Sequence, residues 1–342
     1  MLSDAAIEQV LQMIPHKKVG LLGDLFLDRY LDIDAALTEP SLETGLDAYQ
    51  VVGVRSYPGA LGTVVNNLVA LGVGQVVPIA LIGDDGEGYE LRQRLKVMPG
   101  VVMDAIFARQ GRRTPTYTKS MLCEAGKVPR ELNRLDMKNR SRTPPEADQT
   151  VLRALPGLWP QLDALIVVDQ VSETECGVVT TAVQQRLQEL AERDPNRFVL
   201  ADSRERIRQF RSVCLKPNRH ECSAAAGSKA DGWKEGAAIL ARQAGRSVFA
   251  TASEEGIILV EPPRFEVKRI AAYPVAGPID PVGAGDSCSA GIACAVVSGL
   301  SLPEAAAFGN LVASITVQQI GRTGTATPAE VRQRWAQVRR EH

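Results

Sequence analysis

The run Asp280-Pro-Val-Gly-Ala-Gly-Asp286-Ser-Cys-Ser-Ala-Gly291 decides how the rest of the chain is read. Two glycines set between acids lead into an apolar stretch, 288–297, of helical character. Gly283 and Gly285 carry no Cβ, so the backbone there can turn tightly and approach a ligand closely. The helix that follows opens with unpaired N–H groups and a positive dipole end, a ready anion site. Asp286 therefore falls where a phosphoryl group would be held. A carboxylate has a reason to stand there if it takes a proton from a reacting group; capping of the helix by Asp would account for it as well.

Composition narrows the partners. The 342 residues carry 39 basic and 40 acidic side chains, a formal net charge of −1, with no long basic run. That balance argues against nucleic acid or an anionic membrane as the main partner. No apolar run reaches transmembrane length, and the amino terminus lacks the layout of a signal peptide. Six scattered cysteines (123, 176, 214, 222, 288 and 294) without paired ligand spacing read as reduced thiols of a cytoplasmic protein. Three histidines, at 16, 220 and 342, leave little room for a histidine metal centre or triad. The length allows one large domain with an elaboration, or two domains.

Outward from the glycine turn, apolar strands alternate with helical segments. Strands are expected at 18–23, 76–82, 162–168, 198–201, 213–216 and 247–250, with 257–261 as a hairpin partner. Helices are expected at 3–13, 66–71, 178–192, 232–244, 302–320 and 328–340. This alternation predicts an α/β fold: a doubly wound, mainly parallel sheet flanked by helices. Ligands in such sheets gather at the carboxyl ends of the strands, so Asp24, Asp169, Asp202, Asn218 and Thr251 should line one rim. Residues 101–122 are strand-like but partly polar, the signature of a small sheet with one exposed face. Residues 35–50 read as a turn-rich surface excursion, and 138–149 as a Pro- and charge-rich linker.

Neither a Walker A loop nor a GxGxxG follows the first strand, which disfavours P-loop ATPases and Rossmann dehydrogenases. Lys216-Pro-Asn-Arg-His-Glu221 is the second informative stretch. Asn218 and Glu221 match a helix capping box; they also suit hydrated magnesium and phosphate, since magnesium is often held through its waters.

Together, DPVGAGD at 280–286, Asn218-x-x-Glu221 and the glycine-rich run through Asn67 to Gly72 resemble the ribokinase-like (PfkB) carbohydrate kinases. GDLFLDRYLD (23–32), TPTYTK (114–119), NRLD (133–136), TASEEGIILV (251–260) and IGRTGTATP (320–328) resemble the D-glycero-D-manno-heptose 7-phosphate kinase branch. That branch makes a 1,7-bisphosphate for lipopolysaccharide-core precursors.

The resemblance implies one kinase domain over 1–342 with a small β-sheet lid built from segments at about 25–57 and 104–135. It leaves no room for an attached nucleotidyltransferase domain. It implies a γ-phosphoryl transfer from ATP, with Mg²⁺ and a monovalent cation such as K⁺, to a sugar or sugar phosphate, in a homodimer joined through the lid. By motif position Asp286 is the base, and the N–H groups of Gly283, Ala284 and Gly285 form the anion hole. Asn218 and Glu221 organise Mg²⁺ through water, while Thr251, Ser253 and Gly256 fall at the nucleotide. Asp28, Gly59, Thr63 and Asn67 fall at the acceptor sugar; Asp280, Val282 and Gly321 fall in loops that hold the monovalent ion. Lys119 and Arg134, with Arg29, Arg112 and Arg113, are candidate partners for an acceptor phosphate, or simply solvated charge. Asp169 ends a strand beside the expected acceptor pocket, where a turn would also use it. One position departs from the family pattern: Thr63 stands where the first signature has Asn, and its hydroxyl lacks the paired donor and acceptor of an amide. Other readings are a kinase for another sugar or a nucleoside, and a catalytically silent sensor that keeps the fold.

Overall fold

The computed structural model describes residues 2–227, 232–321 and 323–340. Helix α1 (Asp4–Met13), capped by the Ser3 hydroxyl, leads into β1 (Lys18–Gly23). Strands β2 (Leu25–Pro40) and β3 (Asp47–Ala60) form a long antiparallel hairpin ahead of α2 (Leu61–Leu71). Next come β4 (Gln75–Gly83), α3 (Gly86–Lys96), β5 (Ile106–Arg109) and the hairpin of β6 (Thr116–Cys123) with β7 (Arg130–Met137). The alternation resumes with α4 (Pro145–Leu158), β8 (Ala164–Asp169), α5 (Thr181–Arg193), β9 (Phe198–Ser203) and β10 (Cys214–Leu215). Then follow α6 (Arg219–Ala226), α7 (Trp233–Ala244), β11 (Val248–Thr251), β12 (Ile257–Glu261) and β13 (Glu266–Ile270). Helices α8 (Ala284–Val297), α9 (Leu302–Thr316) and α10 (Pro328–Val338) complete the chain. Among the described residues no helix is long and apolar enough to cross a membrane.

The main sheet runs β13-β12-β11-β10-β9-β8-β1-β4-β5, parallel except for β12 and β13. Strand β1 pairs with β4 on one side and β8 on the other, so the strand order reverses there. Such a reversal opens a crevice at the carboxyl ends of the strands. Both faces are covered, which is why β8 is buried at every position. On one face Val19, Leu21 and Ile166 meet Val10, Leu68, Ile292 and Phe308; on the other Leu22, Leu165 and Val167 meet Val151, Leu187 and Leu240. Small residues let α8 lie close against α9: a Cβ on Gly291 would stand 3.0 Å from the Gly309 Cα.

A second, four-stranded sheet has the order β3-β2-β6-β7. Its strands span 25–60 and 116–137, and so differ from the expected segments of 25–57 and 104–135. Residues 106–109 instead pair in parallel with β4, at the edge of the main sheet. Their mixed polarity is that of an edge strand, with Ile106 buried and Arg109 partly exposed. The expected excursion at 35–50 is also largely strand, since pairing continues to Glu39↔Ala48 and Pro40↔Asp47. Its polar composition reflects two strands that both meet solvent. The expected linker at 138–149 holds the start of α4, where Pro145 occupies a first-turn position that needs no N–H donor.

Candidate active site

The glycine turn sits at the amino end of α8, over the carboxyl ends of β9 and β10. Gly283 has φ +79°, and a Cβ there would lie 2.6 Å from Thr323 Cγ2 and 3.4 Å from Thr63 Cγ2. No side chain caps α8, so Asp286, in the first turn, is not serving as its cap. The Asp280 carboxylate ties the turn to the loop after α9: Oδ1 accepts from the Val282 N–H at 3.1 Å and Oδ2 from the Gly321 N–H at 3.1 Å. The Asp280 N–H donates to the Val317 carbonyl at 2.7 Å. Arg322, inside the expected ion loop, lies outside the described residues.

Asp286 is surrounded by charge. Burial, reinforced by the neighbouring Asp202 and Asp28 carboxylates, pushes its pKa up to about 7 against the pull of Lys216 and Arg204. Lys216 is itself buried and pairs with Asp202 at 2.7 Å. These groups converge because each belongs to a strand end or the turn after it: Asp202 in β9, Arg204 just beyond, Lys216 directly after β10. The sequence had placed Asp202 on the rim, but it gave Lys216 and Arg204 no role. The signal for Lys216 was a lone cation ending the apolar run Val213-Cys-Leu215.

Asn218 and Glu221 form the full capping box of α6. The Asn218 side chain accepts from the Glu221 N–H at 2.9 Å, and Glu221 Oε2 accepts from the Asn218 N–H at 2.8 Å. Burial, then the charge of Asp202, raises the Glu221 carboxyl to about 7. An open cleft of about 270 Å³ beside them is lined by Asn218, Arg219, His220, Thr251, Ser253 and Glu254. Gly256 does not line it; at φ +86°, with the Ile270 carbonyl 2.2 Å from where a Cβ would stand, it makes the turn into β12. Among the described residues no three acidic, His or Cys side chains are close enough to grip a metal directly. The donors present, carboxylate and amide oxygens next to an open cleft, suit a magnesium ion that keeps its waters.

Asp28, in β2 of the second sheet, is near enough to Asp286 to add its charge to the surroundings of that carboxyl. Burial raises its pKa against the nearby Lys119 and Arg134. Gly59 on the facing strand makes room for it, because a Cβ there would stand 2.5 Å from Asp28 Oδ2. Thr63 is buried in the first turn of α2 beside Gly283. Asn67 is fully buried and donates to the Thr63 carbonyl at 2.9 Å, while its Oδ1 has no hydrogen-bond partner among the described residues.

The candidate cations divide. Arg29 pairs with Glu90 at 2.5 Å and Arg113 with Glu87 at 3.0 Å, which fastens the second sheet to α3. Arg112 is buried and donates to the Thr143 hydroxyl and the Cys176 carbonyl. Lys119, half-buried, and Arg134, exposed, remain near Asp28 in the second sheet. Lys119 Nζ lies 3.1 Å from the Tyr30 hydroxyl, and Arg134 stacks 4.5 Å from the Tyr117 ring centre while paired with Asp136. Asp169 has no exposed side-chain surface: it is enclosed by Arg206, with Ser203 donating at 2.6 Å. That ion pair, rather than an acceptor, occupies its carboxylate.

A glycine turn opening a helix, a carboxylate of raised pKa beside it and an open polar cleft on the same strand ends define a phosphotransferase with an alcohol acceptor. The chain belongs to the pfkB family of carbohydrate kinases, whose sequence model matches residues 27–330. It is 30% identical over 338 residues to the "Bifunctional protein HldE" of Trichlorobacter lovleyi, covering 95% of this chain and 64% of that protein. The chain thus spans less than two thirds of that relative. Phosphofructokinase-2 from Escherichia coli, solved in complex with potassium, has the same fold: TM-score 0.68, 15% identity, 94% of this chain and 99% of that one. So does Arabidopsis thaliana ribokinase complexed with ribose and ATP, with TM-score 0.66, 16% identity, 93% of this chain and 98% of that one.

Proposed function

We propose that the chain is an ATP- and Mg²⁺-dependent kinase for a phosphorylated sugar, with heptose 7-phosphate as the first acceptor to test. The observation that carries this reading is Asp286 next to the N–H groups of Gly283, Ala284 and Gly285, with its pKa at about 7. A base poised near the working pH combines deprotonation with a useful fraction of free carboxylate. The glycine turn would receive the moving phosphoryl, and Asn218 and Glu221 would hold the hydrated Mg²⁺, which neutralises phosphate charge. Thr251 and Ser253 would line the nucleotide. Asp28, Gly59 and Thr63 would set the sugar, with Lys119 and Arg134 facing its phosphate. The turn joining Asp280, Val282 and Gly321 is the place for a monovalent cation. The second sheet would close over the acceptor and exclude water. Its exposed Val51, Val52, Val54 and Leu135 support contact with a second copy, which sedimentation would detect.

The resemblance of residues 23–32, 114–119, 133–136, 251–260 and 320–328 to the heptose 7-phosphate kinase branch favours a heptose phosphate. The test is acceptor-dependent ADP release across heptose 7-phosphate, fructose 6-phosphate, ribose and adenosine. Turnover on the heptose phosphate is expected. Turnover only on unphosphorylated acceptors would remove the sugar-phosphate reading, and ADP release with none of them would leave a sensor. Stimulation by K⁺ over Na⁺ checks the cation.

A further inference from the structure

We infer that Lys216 is a catalytic cation that donates to an oxygen of the phosphoryl group in transit. Its ammonium lies 3.5 Å from the position a Cβ would take on Gly285. The Cα–Cβ bonds of a helix lean toward its amino end, so that position lies on the side to which the first-turn N–H groups open. The side chain is only 4% exposed, so the ammonium cannot rely on bulk water.

An ammonium has three donors, and among the described residues Lys216 meets one acceptor, Asp202 Oδ2 at 2.7 Å. A buried charge is tolerable when paired and hydrogen-bonded. The remaining donors are held where phosphoryl oxygens would come. Asp202 acts as a positioning residue: it fixes a flexible four-carbon stem so that the charge waits in place. This is the arrangement that phosphoryl transfer rewards, since little is asked of the protein beyond geometry and stabilisation of charge on the moving group. The main-chain N–H groups of 283–285 and the Lys216 ammonium would then approach the same oxygens, one set from the helix and the other from the sheet.

The inference rests on the kinase reading, and the experiment separates the two. Steady-state kinetics with ATP and the productive acceptor should give Lys216→Met a kcat about 10²–10³-fold below wild type, the cost of losing one such donor. The KM values for ATP and acceptor should stay within about threefold, as expected for a contact made in the transition state. Lys216→Arg should recover at least about tenfold of the loss, because a guanidinium can still donate to phosphoryl oxygen. Removing the lysine alone leaves a partly buried Asp202 without its partner, so the double variant Lys216→Met/Asp202→Asn provides a second, charge-balanced test. A folded double variant should be as slow as the single one. The inference is overturned if either folded variant keeps kcat within about threefold of wild type, or if kcat falls only in proportion to the folded fraction seen by circular dichroism. A wild-type protein without acceptor-dependent ADP release overturns the kinase reading first, and the role of Lys216 with it.

Discussion

The strand ends beneath α8 and the second sheet treat charge in opposite ways. At the strand ends, Asp202, Lys216 and Asp286 are drawn in together, and burial, reinforced by the Asp202 charge and opposed by Lys216, pushes the Asp286 carboxyl up to about 7. In the second sheet the charges sit near the surface, spread over ring faces and neighbouring carboxylates: Arg134 with Asp136 and Tyr117, Lys119 with Tyr30, Arg55 with Asp32. A low-dielectric cluster makes each charge consequential, whereas a half-wet sheet can vary its charges at small cost. Under the proposed kinase function, this difference houses chemistry and recognition separately. Mutations below should change the rate, and mutations above should change the affinity for the acceptor.

The largest expected break comes from Asp286→Asn. Loss of the base should lower kcat by about 10²–10⁴-fold while ATP still binds, as measured by nucleotide titration. The same substitution should raise Tm at pH 8. With its pKa raised from 3.8 to about 7, the native carboxyl keeps a proton that the unfolded chain has already released; its contribution to stability is complete below the unfolded value and is lost as pH rises through 7. Asparagine carries no such penalty. An inactive variant that melts at a lower temperature would count against a buried, strained base.

The acid limb of the wild-type pH profile sharpens the point. The proposed base must be ionised, so kcat/KM should fall about tenfold per pH unit below about 7. A rate that is flat down to pH 5 would mean that Asp286 keeps an ordinary pKa, or that it is not the base.

How much of this could be read in the residues follows the same division. The parallel strands announced themselves, because burial on both faces leaves uninterrupted apolar runs such as Ala164–Val168. The glycine turn was equally plain, since Gly283, at φ +79° and with no room for a Cβ, needs its missing side chain. What stayed hidden is tertiary. A strand-end Asp looks alike at 169 and 202, yet the first is closed off by Arg206 and the second holds Lys216. No local pattern says which cation a carboxylate will meet across 14 or 37 positions. The second sheet was blurred for another reason: strands wet on both faces lack strong alternation, so 35–50 resembled a loop and 106–109 a part of that sheet.

Within that sheet, Lys119→Met should raise the KM for a phosphorylated acceptor by about 10–100-fold, the worth of one charge-assisted hydrogen bond. The kcat and the KM for ATP should hardly move. A kcat that dropped as far as in Asp286→Asn would erase the separation between the two regions.

Thr63 tests the boundary itself, and the effect should be the smallest. It is buried in α2, yet its methyl lies beside Gly283, so it belongs to the floor by position and to the acceptor by motif. Thr63→Val keeps the shape and the methyl contact and removes only the hydroxyl. Among the described residues Thr63 offers its carbonyl to Asn67, and the substitution leaves that bond intact. If the hydroxyl meets the sugar, the acceptor KM should rise by about 3–10-fold, the net value of one neutral hydrogen bond, with kcat preserved. If it instead supports the glycine turn, kcat should fall and the acceptor KM should stay. The direction of that small split decides on which side of the boundary the departure from the family's Asn has its effect.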